Sequence, residues 1–303
     1  MKKVLVTSSN PEILEVVKKG SLKYASDLDT LYCPDTDEAL SFIDYELPEI
    51  KVLDFSSDDI DCNRILAAIH ADQWLHNGGI IAVVKSLGEA EEIENLKDPN
   101  ILIVQTIYTF KQNFERLLKV LWSNQQFLFN RGMQNRMGSD ENGGFICDND
   151  PLDIRLYAGF LVNYLYCCNR IDDNGRYALQ TTLMELLTNA LEHGNCGISY
   201  ADKSKFLETG GNILDLINEK RNLPENINKK IRIHYVIGRD KSTFTIKDEG
   251  EGFDWKCRMA NYEPGVDEAH GRGIALSSSL VSDLRYNDKG NEVSFDIQNI
   301  QNT

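Results

Sequence analysis

The stretch that decides the fold of the second half of the chain is Met184-Glu185-Leu186-Leu187-Thr188-Asn189-Ala190-Leu191-Glu192-His193. Its leucines recur at helical spacing, so the pattern predicts a helix from Tyr177 to Glu192. Glu185 and Asn189 lie four positions apart and therefore share one face of that helix. A carboxylate and a carboxamide one turn apart can hold a hydrated Mg²⁺ or orient a nucleophile. A solvated helix face that ends at Gly194 explains the same residues equally well.

Two glycine-containing segments follow downstream. The segment Ile246-Lys247-Asp248-Glu249-Gly250-Glu251-Gly252-Phe253 predicts a strand that ends in a carboxylate, then a turn that glycines permit. Asp248 is placed to accept a hydrogen bond from an amino group such as that of adenine, and an acidic turn is the plainer alternative. The segment His270-Gly271-Arg272-Gly273-Ile274-Ala275-Leu276-Ser277 predicts a helix whose exposed first amides suit a phosphate group. An ordinary glycine-rich helix start is again the alternative.

The order of these motifs is more specific than any one of them. A helix with E-x-x-x-N, a strand with D-x-G-x-G and a G-x-G that opens a helix before a last strand resemble the Bergerat-fold (GHKL) ATPases, which include gyrase and the histidine kinases. Within that group the chain is most similar to the anti-sigma-factor serine/threonine kinases of bacterial partner switching. The resemblance covers about residues 145–300 and implies ATP and Mg²⁺ as ligands.

The resemblance also implies a role for each motif residue. Glu185 is the candidate general base that faces the attacking hydroxyl, and Asn189 is the Mg²⁺ ligand. Asp248 reads the adenine amino group, while Gly250 and Gly252 form the adjacent turn and lid hinge. The other residues that the resemblance places at the nucleotide are His193, Gly271, Arg272 and Gly273. A helix C-cap contact for the histidine and a solvated side chain for the arginine stay open.

Two departures from the family pattern stand next to the first motif. Glu192 occupies a position where the family often has a phosphate-contacting lysine. An insertion of about residues 196–230 separates the motif from the next strand, and its stretches Tyr200–Glu208 and Ile213–Lys220 predict two short helices beside the nucleotide pocket. An ornament without function is the alternative for this insertion.

Residues 1–122 alternate short apolar strands with helices, which predicts a doubly wound parallel sheet. The predicted strands are Val4–Thr7, Thr30–Tyr32, Ile50–Leu53, Ile80–Val84 and Ile101–Val104, with a last helix at Phe114–Trp122. This region resembles a response-regulator receiver, in which Asp54 takes the place of the phosphorylated aspartate and Lys111 lies near the invariant lysine. Ser8 and Ser9 stand where receivers carry two Mg²⁺-binding acids. The resemblance therefore implies a degenerate receiver that serves interaction or dimerisation, with a phosphorylation switch as the alternative.

The remaining domain boundaries follow from composition. Asn, Gln, Gly and Arg dominate residues 123–144, which predicts a linker. Residues 145–303 then predict an α+β sandwich, the Bergerat fold, with a long helix and an antiparallel sheet. The main elements expected there are the helix Asp153–Asn169 and the strands Ile231–Ile237, Thr243–Lys247 and Glu292–Ile297. That long helix contains no histidine, so autophosphorylation on histidine is not expected.

Composition narrows the partners. The 303 residues include 47 acidic and 32 basic side chains, a net charge of −15 that disfavours nucleic acid and anionic membranes. No apolar run reaches the ~18–20 residues of a membrane span. The seven cysteines are scattered without a C-x-x-C pair, which favours a reduced cytoplasm.

The resemblance leaves two functions open. The first is an ATP-dependent kinase that phosphorylates a serine or threonine on a small antagonist protein of an anti-sigma factor. The second is a nucleotide-binding anti-sigma or scaffold module that acts by sequestering a sigma factor or an antagonist without turnover. Retention of Glu185 favours the kinase, because a binding module needs no general base. A second copy of the chain, in a homodimer, is a further candidate partner.

Overall fold

The computed structural model describes residues 2–72, 78–124, 127, 141–256 and 277–300. The predicted phosphate-facing residues Gly271, Arg272 and Gly273 lie outside this part of the chain. The chain divides into two compact units, Met1–Gly138 with Asn163–Asn169 and Ser139–Val162 with Arg170–Thr303. Within the described residues, no helix is both long enough and apolar enough to span a bilayer.

The first unit is a five-stranded parallel sheet in the order β2-β1-β3-β4-β5. Its strands are β1 (Lys2–Thr7), β2 (Leu28–Cys33), β3 (Ile50–Asp54), β4 (Gly79–Val84) and β5 (Ile101–Thr106). Its helices are α1 (Pro11–Ser21), α2 (Thr36–Glu46), α3 (Cys62–Ala71), α4 (Leu87–Asn95) and α5 (Ile107–Ser123). Every residue of β3 and β4 is buried, as expected when helices cover both faces. This order is a doubly wound one and confirms the predicted fold of the first domain.

Helix α5 begins seven residues before its predicted start at Phe114. Thr106 caps it, because its side chain accepts a hydrogen bond from the Thr109 amide at 3.2 Å. Lys111 consequently lies inside the helix rather than before it, where it pairs with Glu12 at 2.8 Å. Lys111 thus follows the fifth strand, as predicted, and the ion-pair partner of its side chain is Glu12.

Asp54 ends β3 as a fully buried carboxylate whose hydrogen bonds are met inside the unit. The Ser8 hydroxyl donates to its Oδ2 at 2.6 Å, and the Ser56 amide donates to its Oδ1 at 3.0 Å. The Ser56 hydroxyl also donates to Oδ1. Serine hydroxyls thus occupy the carboxylate oxygens that a metal or a phosphoryl donor would need.

The second unit is a mixed α/β unit built on a five-stranded antiparallel sheet in the order β6-β7-β8-β10-β9. Its strands are β6 (Glu141–Asp148), β7 (Lys230–Ile237), β8 (Lys241–Lys247), β9 (Ser282–Tyr286) and β10 (Glu292–Gln298). Its helices are α6 (Pro151–Cys167), whose last turns group with the first unit, α7 (Asp173–Asn189), α8 (Tyr200–Glu208) and α9 (Ile213–Arg221). The α+β prediction and the two short helices of the insertion are confirmed.

Strand β6 begins inside the stretch predicted as a linker, so residues 141–144 belong to the sheet. The glycines that indicated a linker are needed for close approach between strands. A Cβ at Gly143 would overlap the Tyr235 hydroxyl, and one at Gly144 would overlap the Ile233 carbonyl oxygen. The first strand of the second domain therefore begins four residues before the predicted boundary at residue 145.

The sheet of the second unit is amphipathic, with buried and more exposed residues alternating along β7 and β8. On its buried face the rings of Phe244 and Phe295 stack at 5.3 Å between centroids. Tyr157 of α6 packs against Phe145 of β6 at 5.1 Å. The first contact joins two neighbouring strands, and the second joins the sheet to the helix layer.

The contacts of Asp54 predict that acetyl phosphate with Mg²⁺ leaves this residue unmodified. Neither Ser8 nor Ser9 supplies the carboxylate ligands that Mg²⁺ requires, and the Asp54 oxygens already accept internal hydrogen bonds. Intact-mass spectrometry of the treated protein should show no added phosphoryl group. A mass increase of one phosphoryl group that Asp54→Ala abolishes would contradict this interpretation.

Candidate functional site

A cavity of about 380 Å³ opens in the second unit between the end of α7, the turn after β8 and the β9–β10 connection. Asn189 and His193 line it from the helix end, and Tyr200 lines it from the insertion. Asp248 and Gly252 line it from the turn after β8. Its volume lies within the range of small-molecule pockets. The structure thus brings together residues from two of the three predicted motifs.

The end of the motif helix differs from its prediction. Helix α7 starts at Asp173, four residues before the predicted Tyr177, because the Asp172 side chain caps it by accepting from the Gly175 amide at 2.8 Å. After Asn189 the chain continues as a π-helical turn, Ala190–Asn195, rather than as an ordinary α-helix. Such turns are rare and concentrate at functional sites. This turn carries His193 and Gly194 to the cavity.

Glu185 and Asn189 meet as their spacing predicts. The Asn189 side-chain amide donates to Glu185 Oε1 at 3.0 Å, which fixes the orientation of both groups. Asn189 lines the cavity, whereas Glu185 lies one helical turn behind it. The pair therefore presents a carboxamide to the cavity with a carboxylate held directly beside it.

Asp248 lies at the end of β8, only 8% exposed. Burial raises the pKa of its carboxyl group to about 6, although the Gly250 amide donates to Oδ1 at 2.8 Å and favours the charged form. Its backbone is fixed by Asn291, whose carbonyl oxygen accepts from the Asp248 amide and whose side chain donates to the Asp248 carbonyl, both at 3.0 Å. A buried carboxylate with a raised pKa at a cavity is typical of functional sites.

The backbone around Asp248 leaves no room for side chains. A Cβ at Gly194 would overlap the Asp248 carboxylate, and a Cβ at Gly250 would overlap the Gly194 carbonyl oxygen. Gly252 has φ +79, a left-handed conformation, and its Cβ would overlap the Lys289 carbonyl oxygen. The two glycines predicted after Asp248 are therefore both required by the turn, and Gly194 is required by the helix end.

His193 contacts the insertion rather than only capping its helix. Its Nδ1 lies 2.6 Å from the carbonyl oxygen of Ile198. Its ring packs on the ring of Tyr200 at 4.1 Å between centroids and 34° between planes. Sequence reasoning did not single out Tyr200, and the only available signal was its position at the start of a predicted insertion helix.

Glu192 forms an ion pair with a lysine of the insertion. Its carboxylate, only 5% exposed, pairs with Lys203 of α8 at 2.6 Å. The ion pair joins the π-helical turn to the insertion, and an acidic side chain stands where the resemblance predicts a lysine.

A network of amide side chains behind the cavity was not predicted. Asn195 accepts from the Glu249 amide at 2.8 Å and donates to Asn149 at 2.7 Å. Lys229 donates to the Asn195 carbonyl oxygen at 3.2 Å. The network joins the π-helical turn to the turn after Asp248, so it sets the distance between the two walls of the cavity. Its members come from distant parts of the sequence and form no local motif.

Metal ligands are sparse in the described residues. Among residues 2–72, 78–124, 141–256 and 277–300, no three His, Cys, Asp or Glu side chains come close enough together to hold a metal ion. Asn189, the predicted metal ligand, lies within the described residues. It would act with ligands that a bound nucleotide supplies.

Comparison with known proteins finds similarity to response regulators and to one protein family. No curated protein matches the sequence. A response regulator from Hahella chejuensis is 13% identical, with 40% of this chain and 95% of that chain covered and a TM-score of 0.35. A response regulator in red light signaling of R. palustris is 16% identical, with 41% and 95% covered and a TM-score of 0.33.

The match to a protein family falls in the second unit. It includes β7 to β10 with Asp248, Gly250 and Gly252, and it begins after Glu185 and Asn189. Residues 220–297, within the second unit, match the family of the histidine kinase-like ATPase domain.

Proposed function

We propose that the protein is an ATP- and Mg²⁺-dependent serine/threonine kinase that phosphorylates an antagonist of an anti-sigma factor in a partner-switching pathway. The observation that carries this proposal is the hydrogen-bonded pair Glu185–Asn189 at the wall of the Asp248 cavity. A carboxylate is retained beside the carboxamide, where a kinase would use it to take the proton of an attacking hydroxyl.

We infer that the cavity binds the adenine base of the nucleotide. Asp248 offers a buried acceptor at the wall of the cavity, and the backbones of Gly194 and Gly250 lie against its carboxylate. An exocyclic amino group would donate to the carboxylate of Asp248 and make a charge-assisted hydrogen bond. A base without a donor at that position would leave the buried carboxylate without a partner.

We assign the phosphate side to Asn189 and to the segment that holds Gly271 and Gly273, which lies outside the described residues. Because the Asn189 amide nitrogen donates to Glu185, its Oδ1 is the atom that remains to ligate Mg²⁺. When bound, Mg²⁺ supplies charge neutralisation for the phosphates. We also propose nucleotide contacts for the remaining motif residues, which are His193, Gly271, Arg272 and Gly273.

Glu185 is proposed as the general base. Its carboxylate lies next to the carboxamide on the phosphate side rather than beside Asp248, which suits a group that takes the proton of an attacking serine or threonine hydroxyl. The hydrogen bond from Asn189 holds this carboxylate in one orientation. Positioning and charge neutralisation supply most of the remaining catalysis in phosphoryl transfer.

A sequestering module is the second candidate function. Glu185 already accepts a hydrogen bond from Asn189 and lies behind the residues that line the cavity, which also suits a purely structural carboxylate. In that case the nucleotide would stabilise a surface that holds a sigma factor or an antagonist, and a homodimer would be a further assembly. In both cases the receiver-like unit serves as a protein-interaction module.

Nucleotide binding should depend on pH through Asp248. Since the pKa of its carboxyl group is about 6, the acceptor is charged at pH 8 and becomes protonated as the pH falls through 6, so ATP affinity should fall over that range. Asp248→Asn should weaken binding at pH 8 by roughly 1–3 kcal/mol and remove this part of the pH dependence. Isothermal titration calorimetry at several pH values measures both effects.

The matched control is Glu249→Gln, which removes a neighbouring charge and keeps Asp248. The titration of the nucleotide's own phosphates is common to all three proteins and cancels in the comparison. Equal affinities for wild type and Asp248→Asn at pH 8 would overturn the adenine assignment.

Chemistry and binding should separate at the pair of motif residues. Glu185→Gln keeps an oxygen that accepts from Asn189 but removes the base, so it should keep ATP binding and lose about 10²–10⁴-fold in the transfer rate. Asn189→Ala should lose Mg²⁺-dependent binding as well as transfer. Transfer of γ-³²P to candidate antagonist proteins, together with calorimetry, measures the two properties.

The exposed α8 residue Glu208 provides a control, because Glu208→Gln should change neither property. Equal transfer rates in wild type and Glu185→Gln would exclude Glu185 as the base. Absence of transfer by the wild-type protein, with stable complexes of the same antagonists, would favour the sequestering module.

A further inference from the structure

The insertion reaches the cavity through the first turn of α8. This helix begins with a capping box, in which the Ser199 hydroxyl accepts from the Asp202 amide at 3.1 Å and Asp202 accepts from the Ser199 amide at 3.1 Å. No residue of α8 is fully buried. Burial of apolar side chains therefore contributes little to its position, and a few specific contacts must hold it.

The first of these contacts is the ring pair of Tyr200 and His193. The rings lie 4.1 Å apart between centroids, and both side chains line the cavity. His193 directly precedes Gly194, whose backbone lies against the Asp248 carboxylate. The ring pair therefore borders the group that is proposed to read the amino group of the base.

The second contact is the ion pair of Lys203 and Glu192 at 2.6 Å. Glu192 is buried at the π-helical turn, so removing Lys203 would leave a buried charge without its partner. Lys203 lies three residues after Tyr200 and therefore on the same face of α8. The ion pair therefore keeps the face of α8 that carries Tyr200 turned towards the π-helical turn.

We propose that Tyr200 is a nucleotide-binding residue contributed by the insertion, with its ring against the base of the bound nucleotide and the Lys203–Glu192 ion pair as its positioning element. This inference rests on the proposed ATP site. It gives the insertion a function and gives Glu192 a reason to replace a lysine. The phosphate contact of the lysine is lost, and a base contact held by the acid is gained.

Calorimetry with ATP and with adenosine tests the base contact. Tyr200→Ala should weaken both ligands by about 3- to 10-fold, since an aromatic contact is lost in each case, whereas Tyr200→Phe should bind both as wild type does. Inorganic tripolyphosphate should bind wild type and Tyr200→Ala equally. The control is Tyr177→Ala, which removes an exposed tyrosine of α7 that does not line the cavity.

Unchanged adenosine affinity in Tyr200→Ala, while wild type binds ATP, would overturn this inference and leave the kinase proposal in place. A loss in Tyr200→Phe equal to that in Tyr200→Ala would overturn the ring contact. Failure of the wild-type protein to bind either ATP or adenosine would instead overturn the proposed function together with the inference.

Hydrogen exchange without nucleotide tests the positioning element. Lys203→Met should speed the exchange of the α8 amides, Tyr200–Glu208, relative to wild type and should weaken adenosine binding. Lys205→Met, which removes an exposed lysine of the same helix, should change neither property. Equal exchange in Lys203→Met and Lys205→Met would overturn the role of the ion pair.

Discussion

The close approach of two backbones to the buried Asp248 carboxylate is the constraint on which the rest of the site depends. Gly194, in the π-helical turn, and Gly250, in the turn after β8, leave no space for a Cβ. Both positions therefore require glycine. An α-helix that continued past Asn189 would place different atoms there, and the π-helical turn Ala190–Asn195 provides the observed backbone. The same turn carries His193 and Glu192 to the insertion. The π-helical turn therefore connects the cavity with the insertion.

Much of the architecture could be predicted because it follows from local patterns. Continuous apolar strands between helices gave the parallel sheet, and a four-residue spacing placed Glu185 beside Asn189. Strand β6 was not predicted, because its glycines make contacts with residues about ninety positions away. From composition alone, the same glycines indicate a linker. The start of α5 was missed because a Thr106 cap is a weak signal beside the apolar pattern.

The parts of the site that could not be predicted are those that tertiary contacts create. Asn195 and Asn291 act through hydrogen bonds to backbone groups more than forty residues away, and no local pattern marks them. Tyr200 lines the cavity from α8, and the contacts of that helix, the Lys203–Glu192 ion pair among them, come from side chains that no local motif marks. Motif residues tell which chemistry is present, whereas these residues set the distances at which that chemistry operates. Substituting the second group should therefore alter affinity and rate without removing any reacting atom.

A comparison of two buried aspartates, Asp54 and Asp248, shows how environment decides whether a carboxylate is available to a ligand. Asp54 ends a parallel strand with hydroxyl donors from Ser8 and Ser56 already on both oxygens. Within the described residues, the hydrogen bonds to the Asp248 carboxylate come from backbone amides of its own turn, and burial raises its pKa to about 6. A carboxylate in the first situation already has its charge stabilised by donors of its own unit. One in the second situation is stabilised in its charged form by any donor that enters the cavity, which is the physical reason that nucleotide recognition is assigned to the second unit.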